Sequence, residues 1–183
     1  MVATIYALTS SAQASAYYEI DDYYAGDDLS PSAWQGAGAE ALGLSGEIER
    51  EQFRKLLEGK ISDDQQLGTS RSGVVQHRPG WDVTMSAPKS VSIMAEVAGD
   101  RRLVDAHDKA VSAALTFTQT HTAATLIRAD NKIARQQTNN LTIASFRHDT
   151  SRAQDPQLHT HNVIMNATHD AEGKWRSLEP RAL

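Results

Sequence analysis

The stretch from residue 140 to residue 168 constrains this chain more than any other. Residues 140–148 and 158–168 both read as strands, the second especially through Val163 and Ile164. The charged segment between them contains Asp155-Pro156, which suits a loop. Three of the chain's seven histidines fall here. His159 and His161 are two residues apart, so in a strand both rings point to one face, and His148 ends the preceding strand. If the strands pair as a hairpin, all three imidazoles converge at one end of a sheet. Neutral imidazole is the commonest protein metal ligand, and three from rigid strands leave positions open for substrate oxygens. The trio does not choose the ion, because imidazole favours zinc-like metals whereas magnesium prefers oxygen. A zinc hydrolase with a His-Glu-x-x-His helix is disfavoured, since that motif is absent.

The rest of the chain supplies helices and a few more strands. Residues 10–25 read as a helix or helix–turn capped by Ser10 or Ser11, and a short helix is expected around Trp34 after Ser30-Pro31. Residues 47–57 carry Ile48, Phe53, Leu56 and Leu57 on helical spacing, with Gly59 just past the end. Residues 63–80 read as a long exposed loop, and 81–85 as a short strand. Pro88 opens a helix over 89–96, with Ser86 as its candidate cap, and a second helix covers 103–120. A short strand is expected at 174–178. Strands packed by two or more helices on one side give an α+β fold with a largely antiparallel sheet.

Composition bounds the alternatives. A length of 183 residues fits one domain, and the absence of cysteine removes disulfide frameworks, thiolate metal sites and cysteine nucleophiles together. No secretory signal is visible at the start, and the longest apolar stretches fall far short of a membrane span, so a soluble, cytoplasmic protein is expected. The net charge of −5 argues mildly against a nucleic-acid partner. The acidity is uneven, however: residues 1–64 hold 4 Lys/Arg against 12 Asp/Glu, and residues 65–183 hold 14 against 11. A case for DNA therefore has to come from motifs.

Four of the five tyrosines form two doublets, Tyr17-Tyr18 and Tyr23-Tyr24. One doublet is explained by a helix face packing on the core. Two are not, because adjacent helical residues point about 100° apart and four such rings cannot share one buried stripe. Phenol, with a pKa near 10, is a poor nucleophile at neutral pH. A nearby divalent cation favours phenolate and stabilises charge on phosphorus oxygens, so a tyrosine beside a three-histidine metal implies transesterification of a phosphodiester through a phosphotyrosine.

The run His148-Asp-Thr-Ser-Arg-Ala-Gln-Asp-Pro-Gln-Leu-His-Thr-His161, with the tyrosine doublets upstream, resembles the MobF relaxases of conjugative plasmids, members of the HUH endonucleases. Further likeness lies in Trp34-Gln-Gly-Ala-Gly38, Leu42-Gly-Leu-Ser-Gly46 and Ser86-Ala-Pro-Lys-Ser-Val-Ser92. The tyrosines precede the histidines, which is the relaxase order and not that of rolling-circle replication initiators. One departure is Asn139-Asn140, where the family commonly has Gly-Asn.

The resemblance implies an HUH/relaxase palm that nicks one DNA strand at a plasmid transfer origin. Tyr17 matches the primary nucleophile, Tyr18 its neighbour and substitute, and Tyr23 and Tyr24 the second pair. His148, His159 and His161 match the metal ligands, for Mg2+ or Mn2+ before Zn2+. Asp82 matches the acidic residue that orients a histidine or assists deprotonation of tyrosine. The implied partners are single-stranded or locally melted DNA at the origin, with relaxosome and secretion-system proteins. Arg78, Lys89 and Arg152 are candidates for phosphate contact, and the 63–80 loop, through His77 and the nearby Trp81, for touching DNA. His107, His121 and His169 read as structural. Residues 1–183 are expected to be one relaxase domain lacking the C-terminal part that closes over DNA in the family. Two rivals stand beside this reading: a truncated homologue that only binds DNA or a partner, and a metal hydrolase acting through bound water.

Overall fold

The computed structural model describes residues 1–12, 14, 31–129 and 132–179. In chain order its elements are β1 (Val2–Leu8), β2 (Ser32–Gln35), α1 (Ala37–Ala41), α2 (Arg50–Leu57), β3 (Thr69–Arg71), β4 (Val74–Gln76) and β5 (Gly80–Ser86). There follow α3 (Lys89–Glu96), α4 (Arg101–Thr122), β6 (Ala124–Ala129), β7 (Lys132–Gln137), β8 (Ile143–Thr150), β9 (Pro156–Met165), β10 (Thr168–His169) and β11 (Trp175–Arg176). Five strands form an antiparallel sheet in the order β1–β5–β9–β8–β2, with three two-stranded ribbons outside it. The α+β expectation and the central hairpin both hold.

Side-chain alternation divides the sheet into two faces. On one, Trp81, Val83, Met85, Ile143 and Ile164 pack with Val111 and Leu115 of α4, while Leu158 meets Ala95 of α3 and Val104 of α4. On the other, Trp34, Ala144, Val163 and Met165 pack under Phe53, Leu56 and Leu57 of α2. Each fully buried large aliphatic side chain contributes roughly 1.5–3 kcal/mol, so these clusters hold the sheet between its helices.

The glycines of the Trp34–Gly38 motif have a steric cause. Gly36 adopts φ +92°, and a Cβ there would lie 2.3 Å from the Leu141 carbonyl oxygen; at Gly38 it would meet the Thr142 hydroxyl at 2.6 Å. Only glycine lets α1 lie against the backbone that enters β8.

Several expectations are corrected. Trp34 lies in β2, paired with Ala144, and not in a helix; its large side chain is held by sheet pairing and packing, which override a weak local signal. Ser86 ends β5 and caps nothing: Pro88 occupies the N-cap of α3 without a side-chain cap bond. The helix expected over 47–57 starts at Arg50 because Glu49 is still extended, at ψ 130°. The 63–80 segment contains the β3–β4 ribbon, and Trp81 is core, not available to DNA. The exposed strand β1 and the β6–β7 ribbon were not anticipated. The helix expected over 10–25 falls largely outside the described residues.

Candidate metal centre

Strand register arranges nine side chains of one sheet face as a three-by-three grid. Asp82, Val163 and Ala144 form one row; Thr84, His161 and Phe146 the next; Ser86, His159 and His148 the last. The first row is buried under α2, and Phe53 meets Phe146 edge-on at 5.3 Å between ring centres. The histidines come at the end of the grid away from that cluster. A bulge after His148 shifts the register so that Thr150 faces Pro156, which turns the strand away beyond the ring.

The three imidazoles are gathered as the sequence predicts. Ring centres lie 5.3 Å apart for His148–His159, 5.5 Å for His148–His161 and 5.1 Å for His159–His161. With nitrogens about 2.0–2.1 Å from one ion, ring centres at bond angles of about 90–110° lie roughly 4.6–5.3 Å apart. As they stand, no three His, Asp or Glu side chains among the described residues close into a complete ligand set. The separations nonetheless bring the rings within a few tenths of an ångström of that spacing.

Hydrogen bonds set the ring protons. His161 Nδ1–H donates to Asp82 Oδ2 at 2.7 Å, and His159 Nδ1–H donates to the Gln157 carbonyl at 2.8 Å. Carboxylate and carbonyl oxygens only accept, so both protons sit on Nδ1 and both Nε2 atoms keep a lone pair. The Nε2 of His148 is buried without a hydrogen-bond partner. Burial above all, helped by the neighbouring His159 and His161, pushes the His148 pKa down to about 4. The ring is neutral at neutral pH, the form that binds a metal. The neutral His148 ring with its orphaned buried nitrogen, and the Nδ1 protons fixed on His159 and His161, together fit a divalent cation.

The Ser86–Ser92 motif braces this end of the sheet. Ala87 N–H donates to the Leu158 carbonyl at 2.9 Å, and Leu158 N–H donates to the Ser92 hydroxyl at 3.0 Å. The start of α3 is thus tied to the residue before His159.

Asp82 is 7% exposed and lies against His161, as expected. Tyr17, Tyr18, Tyr23 and Tyr24 lie outside the described residues. Lys89 is exposed at the start of α3, and Arg152 lies in the β8–β9 turn, both at the histidine end of the sheet. Arg78 is not brought there. It lies over Trp81, 6.0 Å from the ring centre, on the opposite face of the sheet and roughly 10 Å along β5 from the level of His161. His77 is half-buried, with both ring nitrogens buried and unpartnered, and burial lowers its pKa. His107, His121 and His169 stand apart from the trio, bonded to Thr160 and to the Phe117 and Asp170 carbonyls. The sequence reading missed Thr84, whose hydroxyl touches both Asp82 and His161. Its place two residues after Asp82 in a strand was the available signal.

Sheet order, helix cover and the imidazole grid define an antiparallel α+β palm carrying a cluster of three histidines on two paired strands. The family model for the TrwC relaxase matches residues 6–183, and the chain belongs to that family. The multifunctional conjugation protein TraI of Escherichia coli is 45% identical over 170 residues, which cover 92% of this chain and 10% of TraI. The conjugative relaxase TrwC, solved metal-bound in complex with oriT DNA, superposes with a TM-score of 0.87 at 41% identity, covering 98% of this chain and 62% of that one. TrwC complexed with a 27-mer DNA comprising the recognition hairpin and the cleavage site gives 0.85 at 39%, covering 100% and 61%. This chain therefore spans about a tenth of TraI and less than two thirds of the TrwC structures.

Proposed function

We propose that this chain is a relaxase that nicks one DNA strand at a transfer origin and keeps the 5′ end through a tyrosine. The single observation that carries the reading is the gathering of His148, His159 and His161 on one face of the sheet, with His161 held by Asp82 and His148 Nε2 left unpartnered. The membership of the TrwC family supports DNA as the substrate. Residues 1–183 are read as relaxase domain throughout, acting in the bacterial cytoplasm. Among the described residues no helix is long and apolar enough to cross a membrane.

The three imidazoles would hold a divalent cation, Mg2+ or Mn2+ in our reading. That cation, when bound, polarises the scissile phosphate and draws off its developing charge. Asp82 takes the Nδ1–H of His161, which leaves Nε2 as the atom to meet the cation, and the Gln157 carbonyl does the same for His159. Tyr17 loses its proton and its oxygen attacks phosphorus. The phosphorus–O3′ bond breaks, the leaving oxygen takes up a proton as a 3′ hydroxyl, and the 5′ phosphate stays on Tyr17 as a phosphotyrosine. Tyr18 substitutes for Tyr17, and Tyr23 and Tyr24 serve a second transfer. Lys89 and Arg152 contact backbone phosphates near the histidine end, with Arg78 further off.

Incubation with an end-labelled single-stranded oligonucleotide carrying a transfer-origin sequence, with Mn2+ or Mg2+, tests the reading. The expected result is a covalent protein–DNA band that is lost in Tyr17→Phe, or in Tyr17→Phe with Tyr18→Phe. Cleavage unaffected by any tyrosine substitution would replace the proposal with hydrolysis by bound water. Binding without cleavage across a panel of origin sequences would replace it with a non-catalytic DNA-binding homologue.

A further inference from the structure

Thr84 stands directly opposite His161 in the β5–β9 register, and Asp82 precedes it by two residues on the same face. Its Oγ1 lies 3.0 Å from His161 Nδ1 and 3.3 Å from each oxygen of Asp82. With His161 Nδ1 at 2.7 Å from Asp82 Oδ2, the three side chains close a triangle. The hydroxyl has one proton to give. Were that proton given to Nδ1, the ring nitrogen would be bare and would face a carboxylate oxygen lone pair to lone pair. The consistent assignment has Nδ1–H donating to Asp82 and the Thr84 hydroxyl donating to the same carboxylate, with a Thr84 lone pair beside the Nδ1–H.

From this geometry we infer that Thr84 is a positioning residue that locks Asp82 onto His161 and thereby holds His161 in its metal-binding tautomer. The inference rests on the metal reading above for its purpose, but not for its geometry. A carboxylate held by one donor rotates about its Cβ–Cγ bond; one held by two does not. With both donors in place, the proton stays on Nδ1 and the lone pair of the neutral ring is left on Nε2. The threonine side chain suits this task because branching at Cβ restricts χ1, so the hydroxyl is aimed before any partner binds. A purely structural threonine would need no hydroxyl here, since valine fits a pleated strand equally well.

Thr84→Val and Thr84→Ala remove the hydroxyl, and Thr84→Ser restores it, in the full 183-residue chain. Long-range 1H–15N spectra of the histidine rings without metal read the tautomer. Wild type and Thr84→Ser are expected to show His161 protonated at Nδ1 alone, whereas both hydroxyl-free variants show a share of the Nε2–H form. Calorimetric titration with Mn2+ is expected to give about tenfold weaker binding for Thr84→Val and Thr84→Ala, with Thr84→Ser recovering most of the loss. An unchanged His161 tautomer in both hydroxyl-free variants overturns the inference. So does wild-type Mn2+ affinity in either of them. A wild-type protein that takes up no Mn2+ would instead sink the metal reading, and the tautomer spectra would still decide the role of Thr84.

Discussion

Buried polar atoms of two side chains on opposite faces of the sheet, Asn162 and His148, are treated in opposite ways. On the face backed by the long helix α4, Asn162 is fully buried and its amide is used at both ends. Nδ2 donates to the Val83 and Thr160 carbonyls at 2.9 and 3.1 Å, and Oδ1 accepts from the Ser145 hydroxyl at 2.8 Å. Ser145 in turn accepts from Gln35 Nε2 at 2.9 Å, so a polar line runs across β5, β9, β8 and β2. On the other face, His148 Nε2 is buried and unmatched. A buried polar atom without a partner costs about 1–3 kcal/mol. Residues one step apart in a strand thus divide the work: Asn162 fixes the register, and His161 and its neighbours use it. A slip of one residue would send both His159 and His161 to the helix side.

His148→Ala tests that division most severely. Removing one of the three proposed ligands is expected to weaken Mn2+ binding by at least about 100-fold, the upper end of what even outer partners of a ligand are worth. Thermal unfolding in chelator should change far less, because the substitution removes an orphaned polar atom along with some packing. Titration and melting curves of one preparation give both values. Unaltered Mn2+ affinity would remove His148 from the site, and a large loss of stability in chelator would make it a structural residue.

Asn162→Ala is the counterpart, with a smaller effect of the opposite kind. It strips partners from Ser145 and from the Val83 carbonyl inside the core, and a loss of about 2 kcal/mol is expected by urea denaturation. At temperatures where the variant is folded, Mn2+ affinity should remain within a few-fold of wild type. If instead stability is unchanged while Mn2+ affinity collapses, the two faces are not divided as described.

The hairpin and its three rings were legible because strand alternation is local: His159-Thr-His161 points both rings one way whatever surrounds it. That Asp82 orients a histidine followed from the family resemblance, but that the histidine is His161 did not. Its physical basis, β5 lying beside β9, is a pairing between segments about 80 residues apart that no local pattern encodes. Thr84 went unread for the same reason. The strand β1 is exposed along nearly its whole length, so no apolar–polar alternation marks it. The β6–β7 ribbon lies outside the central sheet, and most of its second strand is exposed. Trp34 was drawn toward a helix by the preceding Ser30-Pro31, yet pairing with Ala144 places it in the sheet. For the tyrosines the likeness remains the guide, since all four doublet residues lie outside the described structure.

A last comparison concerns acid. His107 of α4 is 4% exposed, and its Nε2 lies 2.9 Å from the Thr160 hydroxyl, on the helix-backed side of β9. Burial lowers its pKa below the ordinary 6.5, the effect of Asp108 being an opposing one. The folded protein therefore holds this ring neutral in a range where the unfolded chain takes up a proton. Linkage then sets the sign: stability is intact above pH 6.5 and declines as the pH falls below it, because the unfolded state binds more protons. His148 and His77, lowered by burial as well, act in the same direction. In urea denaturation at pH 7.5 and 5.5, wild type should lose stability on acidification, and His107→Gln should lose less without becoming flat. A variant with the wild-type pH dependence would mean that His107 takes up its proton in the folded state, so that the helix-backed face is less sealed than its packing indicates.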